Sequence, residues 1–180
     1  MDVVVLPGRN FGPNAPVTWF PTAVAERRGA RIHRVEWPTG PPAPTDDGAV
    51  GWIADVVESV LADLPEPALL IGNSLGTLAA GVAADRGLPA VWLTPLLHLS
   101  EPAASIARAT RPALLVGGTA DPSWDGQLAR ELSEDVLEVP DADHLLVPPG
   151  TVRDAAAVHL GVVEAVEAFL DRLGWPSPVP

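Results

Sequence analysis

Leu69-Leu70-Ile71-Gly72-Asn73-Ser74-Leu75-Gly76-Thr77-Leu78-Ala79-Ala80 is the stretch whose reading decides the fold. Its first part is an apolar run from Ala68 to Gly72, the mark of a strand covered on both faces. Its second part is alanine-rich and runs on from Leu75 to Arg86, where Gly87 closes it as a helix C-cap would. Between them stands Gly-x-Ser-x-Gly. A strand that turns at once into a helix holds the serine in a strained backbone, and the flanking glycines leave space for that turn. The hydroxyl then projects at the positive end of the helix, where negative charge developing on an acyl oxygen is favoured. The five residues alone also fit a tight turn with a capping serine; the strand before them and the helix after them favour a nucleophile.

Outward from this centre the pattern repeats. Toward the N-terminus, Val3–Leu6 reads as a strand ended by Pro7-Gly8, and Val17–Arg28 as a helix with Pro21 in its first turn. Arg31–Trp37 alternates like a half-covered strand. A Pro-rich loop follows, with Asp46 and Asp47 as candidate caps for a helix carrying Trp52, Ile53, Val56, Val57, Val60, Leu61 and Leu64 at helical spacing. Toward the C-terminus, Ala90–Thr94, Ala113–Gly117 and Val136–Val139 read as strands, with short helices around Ala103–Ala109 and Asp125–Ser133 between them. A long helix ends the pattern, with Val152, Ala155, His159, Val162, Val166, Phe169 and Leu173 along one stripe. Six strands alternating with helices predict an α/β three-layer sandwich around a mostly parallel sheet. One domain is expected over residues 1–174, with a Pro-rich segment at 175–180.

Composition narrows the function. The 180 residues include 23 Asp and Glu against 11 basic residues, all arginine, for a net charge of −12, a poor match to a phosphate backbone. Nucleic acid is therefore not an expected partner. There is no cysteine, which removes disulfides, thiolate metal sites and a cysteine nucleophile. The start, Met1–Gly8, has no basic n-region, and its apolar run is too short for a signal sequence or a membrane span, so no membrane partner and a cytoplasmic location are expected. No metal is expected, and Gly117-Gly118 lacks the lysine and further glycines of a phosphate-cradling loop, so no cofactor is expected either.

In a parallel sheet with right-handed crossovers, the loops at the carboxyl ends of the strands share one edge, where such sheets bind ligands. Those loops hold a serine, an aspartate and a histidine. Among four histidines, His33 lies within a strand and His159 within a helix stripe, while His98 follows the fourth strand with no acid nearby. His144 follows the last strand, beside Asp141 and Asp143, and is the candidate base. Asp121, ending the fifth strand, is the candidate acid; Asp125 and Asp143 are weaker substitutes, and Asp121 could also start a turn with Pro122. The order Ser74, Asp121, His144, at spacings of 47 and 23 residues, is that of a nucleophile, acid and base carried after the third, fifth and sixth strands.

With these residues in view, the chain resembles the α/β-hydrolases, and among them the short serine hydrolases typified by the retinoblastoma-binding group, which also open with a strand ending in Pro-Gly. The resemblance spans Val3 to about Leu173. It implies a first strand lying between the second and third, and catalytic roles for Ser74, Asp121 and His144. It also implies an oxyanion hole made by the backbone N–H of Leu75 and that of Arg9 or Asn10. Departures are Pro7-Gly8 in place of His-Gly, Asn73 where histidine is frequent, and no opening antiparallel hairpin. Pro95 to Pro112 spans only 18 residues, so a minimal fold without a large lid and a shallow, open site are expected.

Candidate pocket residues are Phe11, Leu96, Leu97, His98, Trp124 and Leu145, and their apolar majority points to an uncharged acyl group. The implied function is hydrolysis of a small-molecule ester or thioester through an acyl-enzyme. The rival readings are a protein-binding module with little turnover and a pathway-specific thioesterase or lactone hydrolase. Monomer and homodimer are both compatible with the sequence.

Overall fold

The computed structural model describes residues 1–10, 12–38, 40–64 and 67–175. Six strands, β1 Asp2–Leu6, β2 Arg31–Arg34, β3 Pro67–Asn73, β4 Ala90–Leu93, β5 Ala113–Gly118 and β6 Asp135–Val139, form one sheet in the order β2-β1-β3-β4-β5-β6. Every neighbouring pair is parallel. The first strand lies between the second and third, so chain direction across the sheet reverses between β1 and β3. This is the switch point at which such sheets open a crevice.

Alternation along the strands divides the core into two layers. Val4, Leu6, Leu70, Trp92 and Leu115 face helices α2 (Ala49–Ala62), α3 (Ala80–Arg86), α4 (Ser100–Ala107) and α5 (Gly126–Leu132). Val3, Val5, Leu69, Ile71, Val91, Leu114 and Val116 face α1 (Pro16–Arg27) and α6 (Val152–Arg172). Each such fully buried aliphatic side chain contributes about 1.5–3 kcal/mol. Among the described residues, no helix is long and apolar enough to cross a membrane.

Several local expectations give way to tertiary structure. Pro16, not Pro21, opens α1, and Pro21 lies inside the helix, where the hydroxyls of Thr18 and Thr22 donate to nearby carbonyls. Neither Asp46 nor Asp47 caps α2. Its N-cap is Gly48 at φ 82°, while the Asp46 carboxylate accepts the N–H of Ala43 and closes the preceding turn. The helix after Ser74 begins as a 3-10 turn, Ser74–Ala79, before α3. β2 stops at Arg34, and Trp37 beyond it packs against Trp52 with the two rings tilted by 52° and donates its indole N–H to Pro7 O. Val152 is 87% exposed, because it sits in the first turn of α6 outside the packed stripe. Trp175, expected to lie outside the domain, is buried with Phe169 and Leu170 in the layer under α6. Residues 176–180 lie outside the described residues.

Candidate active site

The turn after β3 is built by close approach. A Cβ at Gly72 would stand 2.5 Å from the Trp92 ring, and one at Gly76 would stand 2.6 Å from Leu6 O. Only hydrogen fits at either position, so the chain can pass from strand to helix without a linker. The cost falls on Ser74, which adopts φ 49°, a left-handed conformation unfavourable for a residue with a Cβ. Thr77 supports the turn by donating its hydroxyl to Ser74 O at 2.7 Å. Asn73, 5% exposed, donates its amide to Thr94 Oγ1 at 3.0 Å and so ties the ends of β3 and β4 together.

The loops after β5 and β6 are fastened to each other. Gly118 lies so close to Ala142 that a Cβ would come within 2.1 Å of its carbonyl oxygen. Ala120 N–H donates to Ala142 O at 3.0 Å, and Asp141 N–H to Thr119 Oγ1 at 2.7 Å. Asp143 accepts the N–H groups of Leu145 and Val147, folding the loop that carries His144. Asp143 is thereby a loop-forming residue, and Asp125 is the N-cap of α5. Neither is hydrogen-bonded to His144; Asp121 is.

These struts bring three side chains into line. His144 Nδ1 lies 2.7 Å from Asp121 Oδ2, and His144 Nε2 lies 2.8 Å from Ser74 Oγ. The Asp121 side chain is fully buried, and its second oxygen accepts the N–H of Ser123 at 2.8 Å. A carboxylate can only accept, so the ring proton belongs on Nδ1. Nε2 is left with a lone pair for the Ser74 hydroxyl. Nothing else among the described residues bonds to that nitrogen.

A cleft of about 390 Å³ opens over Ser74 and His144. Leu96, His98 and Leu145 line it, as do Arg9 and Asn10 from the loop after β1. Gly8 places that loop directly against the serine, since a Cβ there would lie 3.5 Å from Ser74 Cβ. Leu75 is fully buried beneath, and its N–H is among the first of the helical turn, which have no acceptor within the helix. Two expected pocket residues lie elsewhere. Leu97 is buried in the core layer on the α4 side, 3% exposed. Trp124 lies across Gly117, where a Cβ would meet its ring at 2.0 Å, and donates Nε1–H to Glu138 at 2.8 Å. That indole bond holds the Glu138 carboxyl below its usual range against the opposing effect of burial, with Arg130 adding to it. Phe11 lies outside the described residues.

Pro44, Thr45 and Ser123 are cleft residues that the sequence did not single out. Pro44 and Thr45 come from the Pro-rich loop after β2, and only the folded path of that loop carries them to the serine. With Ser123 they bring a proline ring and two hydroxyls to a wall whose exposed surface remains more apolar than polar.

Sheet order, layers and the strand-to-helix serine define the α/β-hydrolase fold in its minimal form, without a lid. Solved structures bear the same architecture at low sequence identity. Est1E from Butyrivibrio proteoclasticus superposes with a TM-score of 0.70 at 13% identity, covering 95% of this chain and 87% of that one. A serine hydrolase without a lid from Xanthomonas campestris gives 0.66 at 18%, covering 99% and 84%. A monoacylglycerol lipase from Paleococcus ferrophilus gives 0.68 at 16%, covering 93% and 94%. No family model matches the sequence, and no curated protein matches it.

Proposed function

We propose that the protein is a serine hydrolase cleaving a small ester or thioester through an acyl-enzyme on Ser74. The observation that carries this reading is the continuous hydrogen-bonded path from Ser74 Oγ through His144 to the buried Asp121. As Oγ attacks the substrate carbonyl carbon, its proton passes to His144 Nε2, and Asp121 stabilises the imidazolium. The protonated Nε2 then donates to the leaving oxygen or sulfur as the bond to the acyl carbon breaks. Water attacks the acyl-enzyme, gives its proton to Nε2, and the proton returns to Ser74 as the acid departs. The N–H of Leu75, with that of Arg9 or Asn10, supplies the donors for the tetrahedral oxyanion, each worth about 10²–10³ in rate. The Xanthomonas structure described as a serine hydrolase, and the Paleococcus one described as a lipase, support the reaction class.

A fluorophosphonate probe tests the proposal. Stoichiometric labelling at Ser74 is expected, together with turnover in a panel pairing aryl esters with acyl thioesters. Ser74→Ala should lower turnover by about 10⁴-fold or more while the melting temperature stays near that of the parent protein. Folded protein that takes no label and turns over none of the panel would instead be a binding module.

A further inference from the structure

Resting on that reading of Ser74, we infer that Arg9 makes the cleft selective for substrates carrying a carboxylate near the scissile bond. Arg9 is exposed, lines the cleft that contains Ser74, and follows the glycine packed against that serine. Its Nε–H donates to Pro41 O at 3.2 Å and Pro42 O at 3.1 Å. These bonds fix the guanidinium through one of its five N–H groups. Among the described residues, the four on the two terminal nitrogens have no partner and no carboxylate lies within ion-pair distance. Arg28, Arg31, Arg86, Arg108, Arg130 and Arg172 each pair with an aspartate or glutamate; Arg27, Arg34, Arg111 and Arg153 form no ion pair among the described residues, but none of those four lines this cleft.

The second observation is what the cleft wall omits. The chain carries 23 acidic residues and a net charge of −12, yet none of the residues lining this cleft is acidic. The Asp121 carboxylate is sealed behind His144, and Glu36 borders a neighbouring hollow that Arg9 also lines, outside this cleft. A molecule whose net charge of −12 repels anions thus presents a fixed cation, and no acidic wall residue, in the cleft beside Ser74. Arginine with its terminal nitrogens free offers the planar fork that a carboxylate accepts in two parallel hydrogen bonds. The charge can sit on the acyl half or on the alcohol half of the ester, and the two are separable by experiment.

Two matched pairs test this. The acyl pair is 4-nitrophenyl hexanoate against the mono-4-nitrophenyl ester of adipic acid; the alcohol pair is phenyl butyrate against 4-carboxyphenyl butyrate. In one pair the anionic ester should show kcat/KM at least about 10-fold higher, and the pair that shows it identifies the half that carries the charge. Arg9→Gln should bring that ratio near unity and Arg9→Glu should invert it; about 1 M salt should compress it in the parent protein. Because ratios are compared, a general loss of activity in either variant does not affect the result. Turnover of the neutral esters with no anionic preference, or a preference that survives Arg9→Gln, overturns the inference and leaves the hydrolase reading standing. Should no ester turn over and Ser74 take no label, calorimetry with 4-carboxyphenyl butyrate on the Ser74→Ala protein decides: Arg9-dependent binding supports the anion site, and no binding overturns it.

Discussion

Two buried aspartates each hold a histidine at 2.7 Å, one near either end of the sheet, and they differ in which ring nitrogen is engaged. Asp2, the first residue of β1, meets His33 at Nε2 and shares its other oxygen with Arg31 at 2.8 Å. Asp121, beyond the end of β5, meets His144 at Nδ1, so that Nε2 faces a hydroxyl. Burial and distance are alike in the two pairs; the second sets a hydroxyl against the far nitrogen, Ser74 Oγ at His144 Nε2. An Asp–His contact becomes a general base only when the far nitrogen has a nucleophile to serve. Exchanging carboxylate for amide in each pair should therefore produce unlike defects. Asp121→Asn should lower kcat toward a neutral ester by about 10⁴, because the amide no longer enforces the tautomer that leaves Nε2 free. Steady-state kinetics on folded protein check this, and a loss under tenfold would mean that Asp121 is only a loop residue.

Asp2→Asn should leave that kinetic constant intact and act on stability instead. Burial alone would raise the Asp2 carboxyl, but the hydrogen bonds from His33 and Arg31 outweigh it and hold the group below its usual range. A carboxyl lowered on folding contributes stability that is present above its unfolded pKa and lost as pH falls through the folded one. The variant should thus be about 2 kcal/mol less stable than its parent near pH 7, with the gap closing below about pH 4. Urea unfolding at both pH values measures the gap, and an equal deficit in acid would assign the effect to shape instead of charge.

The sequence disclosed the carboxyl-edge pair more readily than its counterpart for a physical reason. Ser74, Asp121 and His144 each follow a strand, and in an all-parallel sheet that fact alone assigns them to one edge. Asp2 and His33 carry no such mark, since their contact depends on the register that sets Asp2 beside Arg31. The same limit explains the pocket. Leu97 and Trp124 follow strand ends just as Leu96 and Ser123 do, and local pattern cannot say which of them borders the cleft, since Leu96 and Leu97 are both buried in the same core layer. Pro44 and Thr45 were hidden altogether, because Arg9, from another loop, pins the neighbouring Pro41 and Pro42. At Asp46, Asp47 and Gly48 the side-chain preference for a cap lost to a backbone turn that only glycine adopts without strain.

Backbone conformation divides the two ends of the sheet as sharply as the side chains do. The non-glycine residues at positive φ among those described are Ser74, Thr94, Asp141 and Leu146, and all follow the carboxyl ends of β3, β4 or β6. Strain gathered where the cleft lies is stability given up for geometry. Ser74 offers the smallest and cleanest measure of it. Ser74→Ala and Ser74→Gly both remove the hydroxyl and its bond to His144, so their difference isolates the φ of 49°. The glycine variant should be the more stable by about 1 kcal/mol, net of the greater entropy of its unfolded chain. In α3, where the backbone is regular, Ala84→Gly should have the opposite sign, a loss of about 1 kcal/mol. Matching signs at the two positions in denaturant unfolding would show that the turn after β3 stores no strain, and that its glycines at 72 and 76 already relieve the whole demand.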